Sequence, residues 1–194
     1  MDVETAIMKR RAIRRFDQKP VPIDVLKKLV DAARLAPSGA NLQPLQYIVV
    51  NDPDLLAKIF STLSWAGYLK PAWRPAENER PTAYIVILAD EKLSPYCEVD
   101  VGLAAENIML MAVSNGLGSC MIRKKDKDKL RQILKVPDRF DINTIIALGY
   151  PSEEPILEEL KDSVEYWRDE KGILHVPKRK LENILHINRY NAKE

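Results

Sequence analysis

VDVGLAAENIMLMAVSNGLGSCMI, residues 99–122, decides the fold class of this 194-residue chain. From Val99 to Val113 the composition is helical, and Gly116 stands where a left-handed C-terminal cap belongs. Val101, Leu103, Ala104, Ala105, Ile108, Met109, Leu110, Met111, Ala112 and Val113 leave this helix almost no polar face. A helix that is apolar all round has to be covered on every side. Two covers are open: neighbouring elements of the same subunit, or a partner subunit across an interface. Ser119-Cys120-Met121-Ile122 then reads as a short buried strand.

Three more buried strands are expected at Tyr47-Ile48-Val49-Val50, at 84–89 and at 142–148, the first closed by the turn Asn51-Asp52-Pro53-Asp54. Asp2 can cap a first helix that carries Val3, Ile7 and Met8 inward and runs towards Arg11. Ile23, Leu26, Leu29, Val30 and Ala33 form the apolar stripe of a second helix, which must stop before Pro37. A third helix is expected around residues 55–63, and Trp65–Pro81 reads as an irregular loop or a broken helix. Helices separating buried strands give an α/β or α+β domain. With no repeat and no Gly/Ser linker, 1–194 reads as one domain whose charged stretch 151–194 is an extended tail, ordered only where it packs on something.

Charge and composition exclude several classes. Thirty Lys+Arg against 28 Asp+Glu give +2, and 46% hydrophobic with 30% charged residues is ordinary globular usage, neither disordered nor collagenous. Overall charge therefore predicts neither nucleic acid nor membrane as a partner. Cys97 and Cys120 cannot make a disulfide framework, the start Met1-Asp2-Val3-Glu4 does not read as a signal peptide, and no apolar run reaches the roughly 20 residues of a membrane span. A cytoplasmic protein is expected. The two histidines and two cysteines lack zinc-ligand spacing, so no metal site is expected.

Lys9-Arg10-Arg11-Ala12-Ile13-Arg14-Arg15 puts five cations into seven residues. They can complement the dipole of the first helix, or form a phosphate site, since arginine offers forked donors matched to phosphate oxygens. A nucleic-acid patch is the third option, and no interleaved aromatics support it. Lys178-Arg179-Lys180 is a second basic group, read either as solvated tail or as a second hand on the same anion. Ala36-Pro37-Ser38-Gly39-Ala40-Asn41-Leu42-Gln43-Pro44 joins a helix to a strand, with small residues that allow close backbone approach and amides suited to the polar edge of a ring. Cys120 lies in an apolar run without a nearby histidine, and no Ser/His/Asp arrangement is visible. Ligand-shaped loops without catalytic residues point to a cofactor that carries the reaction.

These pieces together resemble the nitroreductase family of flavin-mononucleotide enzymes. Arg10-Arg11-Ala12-Ile13-Arg14-Arg15-Phe16 with Pro20-Val21-Pro22 resembles its R-R-S-x-R-x-F/Y…P-V-P opening, and the 36–44 loop its A-P-S-x-x-N-x-Q-P-W segment. Asp100 to Met111, then Gly116-Leu117-Gly118-Ser119-Cys120-Met121-Ile122, are similar to its central helix and G-L-G-S/T-C-W-I loop. Ala147-Leu148-Gly149-Tyr150-Pro151 and the basic tail complete the order.

The resemblance implies an α+β, three-layer fold with a central mixed or antiparallel sheet flanked by helices, in a domain-swapped homodimer with FMN at the interface. It implies that Arg10, Arg11, Ala12 and Arg14, helped by Lys178, Arg179 and Lys180, hold the phosphate and ribityl end. Pro37, Ser38, Gly39, Asn41 and Gln43 would edge the ring from the other subunit, with Cys120, Met121 and Ile122 along it. The implied activity is transfer of electrons from NAD(P)H to an electron-poor acceptor such as a nitroaromatic or quinone. Same-fold alternatives are reductive dehalogenation and flavin breakdown; a flavin carrier without enzymatic activity is the rival from another class. Ala12, Leu45 and Met121 depart from the family's serine and two tryptophans. Trp65 and Tyr68 are then the candidates to wall the open ring face for substrate, with core packing as the competing reading.

Overall fold

The computed structural model describes residues 1–94 and 96–190, and they form two compact units: Met1–Trp65 with Arg74–Glu153, and Ala66–Trp73 with the chain from Glu154. The last four residues of the expected tail, 191–194, lie outside the described residues.

The first unit is built on a five-stranded antiparallel sheet. Its strands are β1 (Phe16–Asp17), β2 (Leu45–Val50), β3 (Ala83–Ala89), β4 (Gly118–Ile122) and β5 (Asp141–Pro151), in the order β1-β5-β3-β2 with β4 also on β5. Every residue of β3 is buried, as is most of β5, so both faces of the sheet centre are covered. Side chains alternate along a strand. Ala83, Ile85 and Ile87 of β3 therefore join Ile146 and Leu148 in a core shared with the two longest helices, α2 (Ile23–Arg34) and α4 (Cys97–Ser114). Tyr84 points to the other face and meets Leu56, Ala57 and Phe60 of α3 (Pro53–Phe60) around a cavity. Helices lie on both sides of the sheet, the three layers expected for an α+β domain.

Local chemistry sets the element ends. Asp2, Asp52 and Asp126 each accept a backbone N–H three residues on, capping α1 (Val3–Lys9), α3 and α5 (Lys127–Leu134). α4 ends as expected: Gly116 takes φ 74 and the Leu117 N–H reaches back to the Ala112 carbonyl. α4 is not enclosed on all sides by its own chain. Val101, Ala104, Ala105, Ile108, Met109 and Ala112 are buried, whereas Val99, Leu103 and Met111 are exposed. An apolar groove bordered by Val3, Ala6, Leu35, Leu110 and Met111 runs along that open side.

The second unit holds β6 (Ile156–Glu159), β7 (Trp167–Arg168) and β8 (Leu174–Lys178), with β8 parallel to β6 and antiparallel to β7. His175 lies between Glu158 (3.1 Å) and Asp169 (3.5 Å), its ring stacked on Trp167 at 4.2 Å. Tyr68 meets Tyr166 edge-on at 5.1 Å, and Arg168 covers the Trp73 ring. The segment 66–73, part of the Trp65–Pro81 stretch expected as an irregular loop or a broken helix, is thus packed on the tail.

Candidate functional site

The arginine run is not a continuation of the first helix. α1 stops at Lys9, and the next residues extend alongside the start of β4. Ala12 pairs with Ser119 in a parallel bridge, and the Ile13 N–H donates to the Ser119 carbonyl at 2.8 Å. Gly118 permits this approach, because a Cβ there would meet Ile13 at 2.8 Å. Arg10, Arg11, Ala12 and Arg14 are thereby brought beside Cys120, Met121 and Ile122, two groups that the sequence places more than a hundred residues apart.

The four arginines differ in how their charge is met. Arg10 pairs with Glu106 of α4 at 3.1 Å, and Arg15 with Glu79 at 3.3 Å. Arg14 is 9% exposed, and its charge reaches the buried Cys120 thiol, whose pKa burial nevertheless raises. Glu153 accepts from the backbone N–H groups of Arg14 (2.5 Å) and Arg15 (3.1 Å), which fixes the segment's course. Arg11 has no carboxylate partner among the described residues; its guanidinium donates only to the Arg10 carbonyl. Desolvation, then the neighbouring Arg10 charge, lowers its pKa. Ser119 Oγ, on the strand residue bridged to Ala12, is buried and also has no hydrogen-bond partner among the described residues. A cation held in a partly desolvated position without a carboxylate suits an anion with several acceptor oxygens.

The 36–44 loop is shaped by backbone that few residues adopt willingly. Ala40, Asn41 and Gln43 have φ of 48°, 57° and 50°, in the left-handed region. The Gly39 N–H donates to Asp100 Oδ1 at 3.0 Å, and the Gln43 N–H donates to Ser38 Oγ at 3.0 Å, so the surroundings hold the strain. Gly39 has little room for a side chain, since a Cβ would lie 3.3 Å from the Tyr96 ring. Asp100 is 2% exposed and its Oδ2 is unpartnered. Beneath the loop, Pro37, Ser38, Gln43, Tyr47 and Asp100 border a 230 Å³ cavity, and burial pushes the Tyr47 phenol up to about 12.

α4 carries both grips, Asp100 on the loop and Glu106 on Arg10, six residues or about 9 Å apart along the helix. Asp100 stood in the sequence only as part of a motif, and neither Glu106 nor Glu153 stood out. A carboxylate that serves a distant backbone leaves no local pattern; the one available signal was the surplus of crowded cations that needed acids.

Of the two aromatic candidates for a ring face, Trp65 belongs to the first unit, is 8% exposed and packs on Phe60 with ring centroids 5.6 Å apart. That burial leaves it little surface to offer a substrate. Tyr68 belongs to the second unit and is 47% exposed. Lys178, Arg179 and Lys180 also belong to the second unit; Lys180 pairs with Glu159 at 2.9 Å. No described helix is long and apolar enough to cross a membrane.

The architecture and the chain have recognisable relatives. A protein of Archaeoglobus fulgidus, provisionally named NADH dehydrogenase/NAD(P)H nitroreductase, is 33% identical over 164 residues, 80% of this chain and 89% of its own. The iodotyrosine deiodinase of Thermotoga neapolitana is 27% identical over 162 residues, 75% of this chain and 86% of its own. The solved structure of the FMN-dependent nitroreductase of Clostridium difficile R20291 shares 27% identity and a TM-score of 0.69, over 95% of this chain and 98% of that one. The family model described as nitroreductase family matches residues 7–150, from the first helix to the end of β5. Fold, motif order and sequence agree, and the chain belongs to the nitroreductase family.

Proposed function

We propose that the protein is an FMN-dependent oxidoreductase that passes electrons from NAD(P)H to an electron-poor acceptor such as a nitroaromatic or a quinone. The carrying observation is the Arg11 guanidinium, partly desolvated beside Arg10 and Arg14 and without a carboxylate of its own. A phosphate there would neutralise it. FMN, when bound, supplies the ring that takes up and gives back a hydride. Arg10, Arg11 and Arg14 bind its phosphate end, with Lys178 and Arg179 as further cations. Ala12 and Ser119 bring backbone groups to its edge, and Cys120, Met121 and Ile122 line its plane. Pro37, Ser38, Gly39, Asn41 and Gln43 form the loop that edges the ring, presented by a second copy of the chain in a homodimer. Exposed Val99, Leu103 and Met111 on α4 support that assembly, because apolar surface of this extent on a core helix is normally covered. Tyr68 is the exposed aromatic available to stack on a flat acceptor.

The test is the absorbance spectrum of the purified protein before and after anaerobic addition of NADH or NADPH, then of a quinone. Bleaching of a flavin band by the nucleotide and its return with the quinone are expected. Protein that reconstitutes with FMN but does not bleach would be a flavin carrier, not this enzyme. Several relatives carry the name iodotyrosine deiodinase, which favours reductive dehalogenation as the second reading. Iodide release from 3-iodotyrosine by the dithionite-reduced protein distinguishes it.

A further inference from the structure

On the sheet face away from α2 and α4, two polar groups are buried without a partner at one place. Tyr84 is 0% exposed, and its hydroxyl meets no donor or acceptor. Arg80 Nε is buried and equally unpartnered, while its guanidinium lies over the Phe60 ring at 4.4 Å. Both border a cavity of 210 Å³ whose apolar wall is Pro53, Leu56, Ala57 and Phe60. The other donors at hand are already committed. Gln18 Nε2 donates to the Phe16 and Arg80 carbonyls, and Thr82 Oγ1 donates to the Lys19 carbonyl. Glu79 is engaged by Arg15, and Glu77 borders the cavity without lying within ion-pair distance of Arg80.

Buried polar groups are paired almost without exception, so two unpaired donors in one cavity call for a common acceptor. Water is a poor candidate to fill this space. A single molecule needs only about 15 Å³ of it, and although Gln18, Glu77 and Thr82 also border the space, Pro53, Leu56, Ala57 and Phe60 leave half of its wall with nothing for water to bond. A cationic N–H and a phenolic O–H together match a carboxylate, and Leu56, Ala57 and Phe60 match a short hydrocarbon body. We propose that this cavity binds a small apolar monocarboxylate, whose oxygens accept from Arg80 and Tyr84 and whose body rests on α3. None of its lining residues belongs to the arginine segment, the 36–44 loop or β4, so the site is separate from the proposed flavin site and does not rest on it.

Isothermal titration of the full chain, as purified, with 3-methylbutanoate tests this; an aliphatic probe avoids stacking on a flavin. One saturable site per chain is expected, with no measurable uptake of the uncharged 3-methylbutanol. Tyr84→Phe should weaken binding about 5- to 10-fold, the loss of one hydrogen bond, while leaving the melting temperature unchanged or raised because the hydroxyl had no partner. Arg80→Gln should weaken binding about 10-fold or more. Ala57→Leu, at an exposed helix position, should fill the cavity and abolish binding without affecting the fold. No saturable uptake by the wild type, equal uptake of the alcohol, or undiminished binding by Tyr84→Phe and Ala57→Leu each overturns the proposal.

Discussion

Replacing Arg11 by Ala separates a phosphate ligand from an ornament of the first helix. The side chain gives up almost nothing in the ligand-free protein, since among the described residues its guanidinium donates only to the adjacent Arg10 carbonyl and has no carboxylate. Its charged form is already disfavoured by desolvation and by Arg10. Stability without flavin should therefore change by no more than about 0.5 kcal/mol, the range of surface substitutions. A charge-assisted hydrogen bond to a phosphate is worth about 1.5–3 kcal/mol, so FMN affinity should fall about 10- to 150-fold. Arg10→Ala should cost no more than this, because Arg10 already shares its charge with Glu106. Fluorescence titration of apoprotein with FMN and with riboflavin reads the outcome. Riboflavin lacks the phosphate and should bind both proteins alike. Equal losses for the two flavins, or no loss for either, would refute the phosphate assignment.

Gly118→Ala should lower stability by about 1–3 kcal/mol in chemical denaturation, because the new methyl would overlap Ile13, and FMN affinity should fall with it; an unchanged midpoint would mean that the segment yields freely. The wild type should sediment as a dimer and Leu103→Glu and Met111→Glu, on the exposed side of α4, as folded monomers, whereas Met109→Glu, buried in the core, should impair folding itself. Burial, reinforced by nearby Lys127, lowers the Lys125 ammonium to about 8, where its Nζ donates to the Arg123 and Asn143 carbonyls. Above pH 8 the folded protein sheds this proton while the unfolded chain keeps it to about 10.4, so the unfolded state binds more protons and stability gains with pH across that window. Denaturation of wild type and Lys125→Met at pH 7, 8, 9 and 10 should show the wild type gaining on the variant; a constant difference contradicts the shift.

The strands at 84–89, 119–122 and 142–148 were legible because they are largely buried and read as apolar runs, and half-buried 47–50 because it is an apolar run closed by a turn. α2 was legible through its stripe and α4 through its length and Gly116. α5 was not: Leu130, Ile133 and Leu134 stand at helical spacing, but three apolar positions in an eight-residue, largely charged segment, of which only Leu130 is buried, are too short a stripe to stand out. β6, β7 and β8 escaped notice because strands of two to five residues with charged, half-exposed side chains owe their order to pairing across the tail, which no local pattern records. The cationic half of the candidate site was visible as crowding in sequence. Its acidic half was not, since Glu106 and Glu153 reach the arginine segment from 96 or more residues away.

The two grips on α4 bear on which lengths of this chain can survive evolution. Each residue of an α-helix advances the chain 1.5 Å and turns it 100°, so Asp100 and Glu106 face directions about 120° apart around the axis. A substitution between them alters only packing. Inserting or deleting one residue would swing the Gly39 anchor a quarter-turn or more away from the Arg10 anchor, and no side-chain change nearby could restore both. The interval from 100 to 106 should therefore tolerate spelling changes but no indels, with length variation confined to stretches outside it.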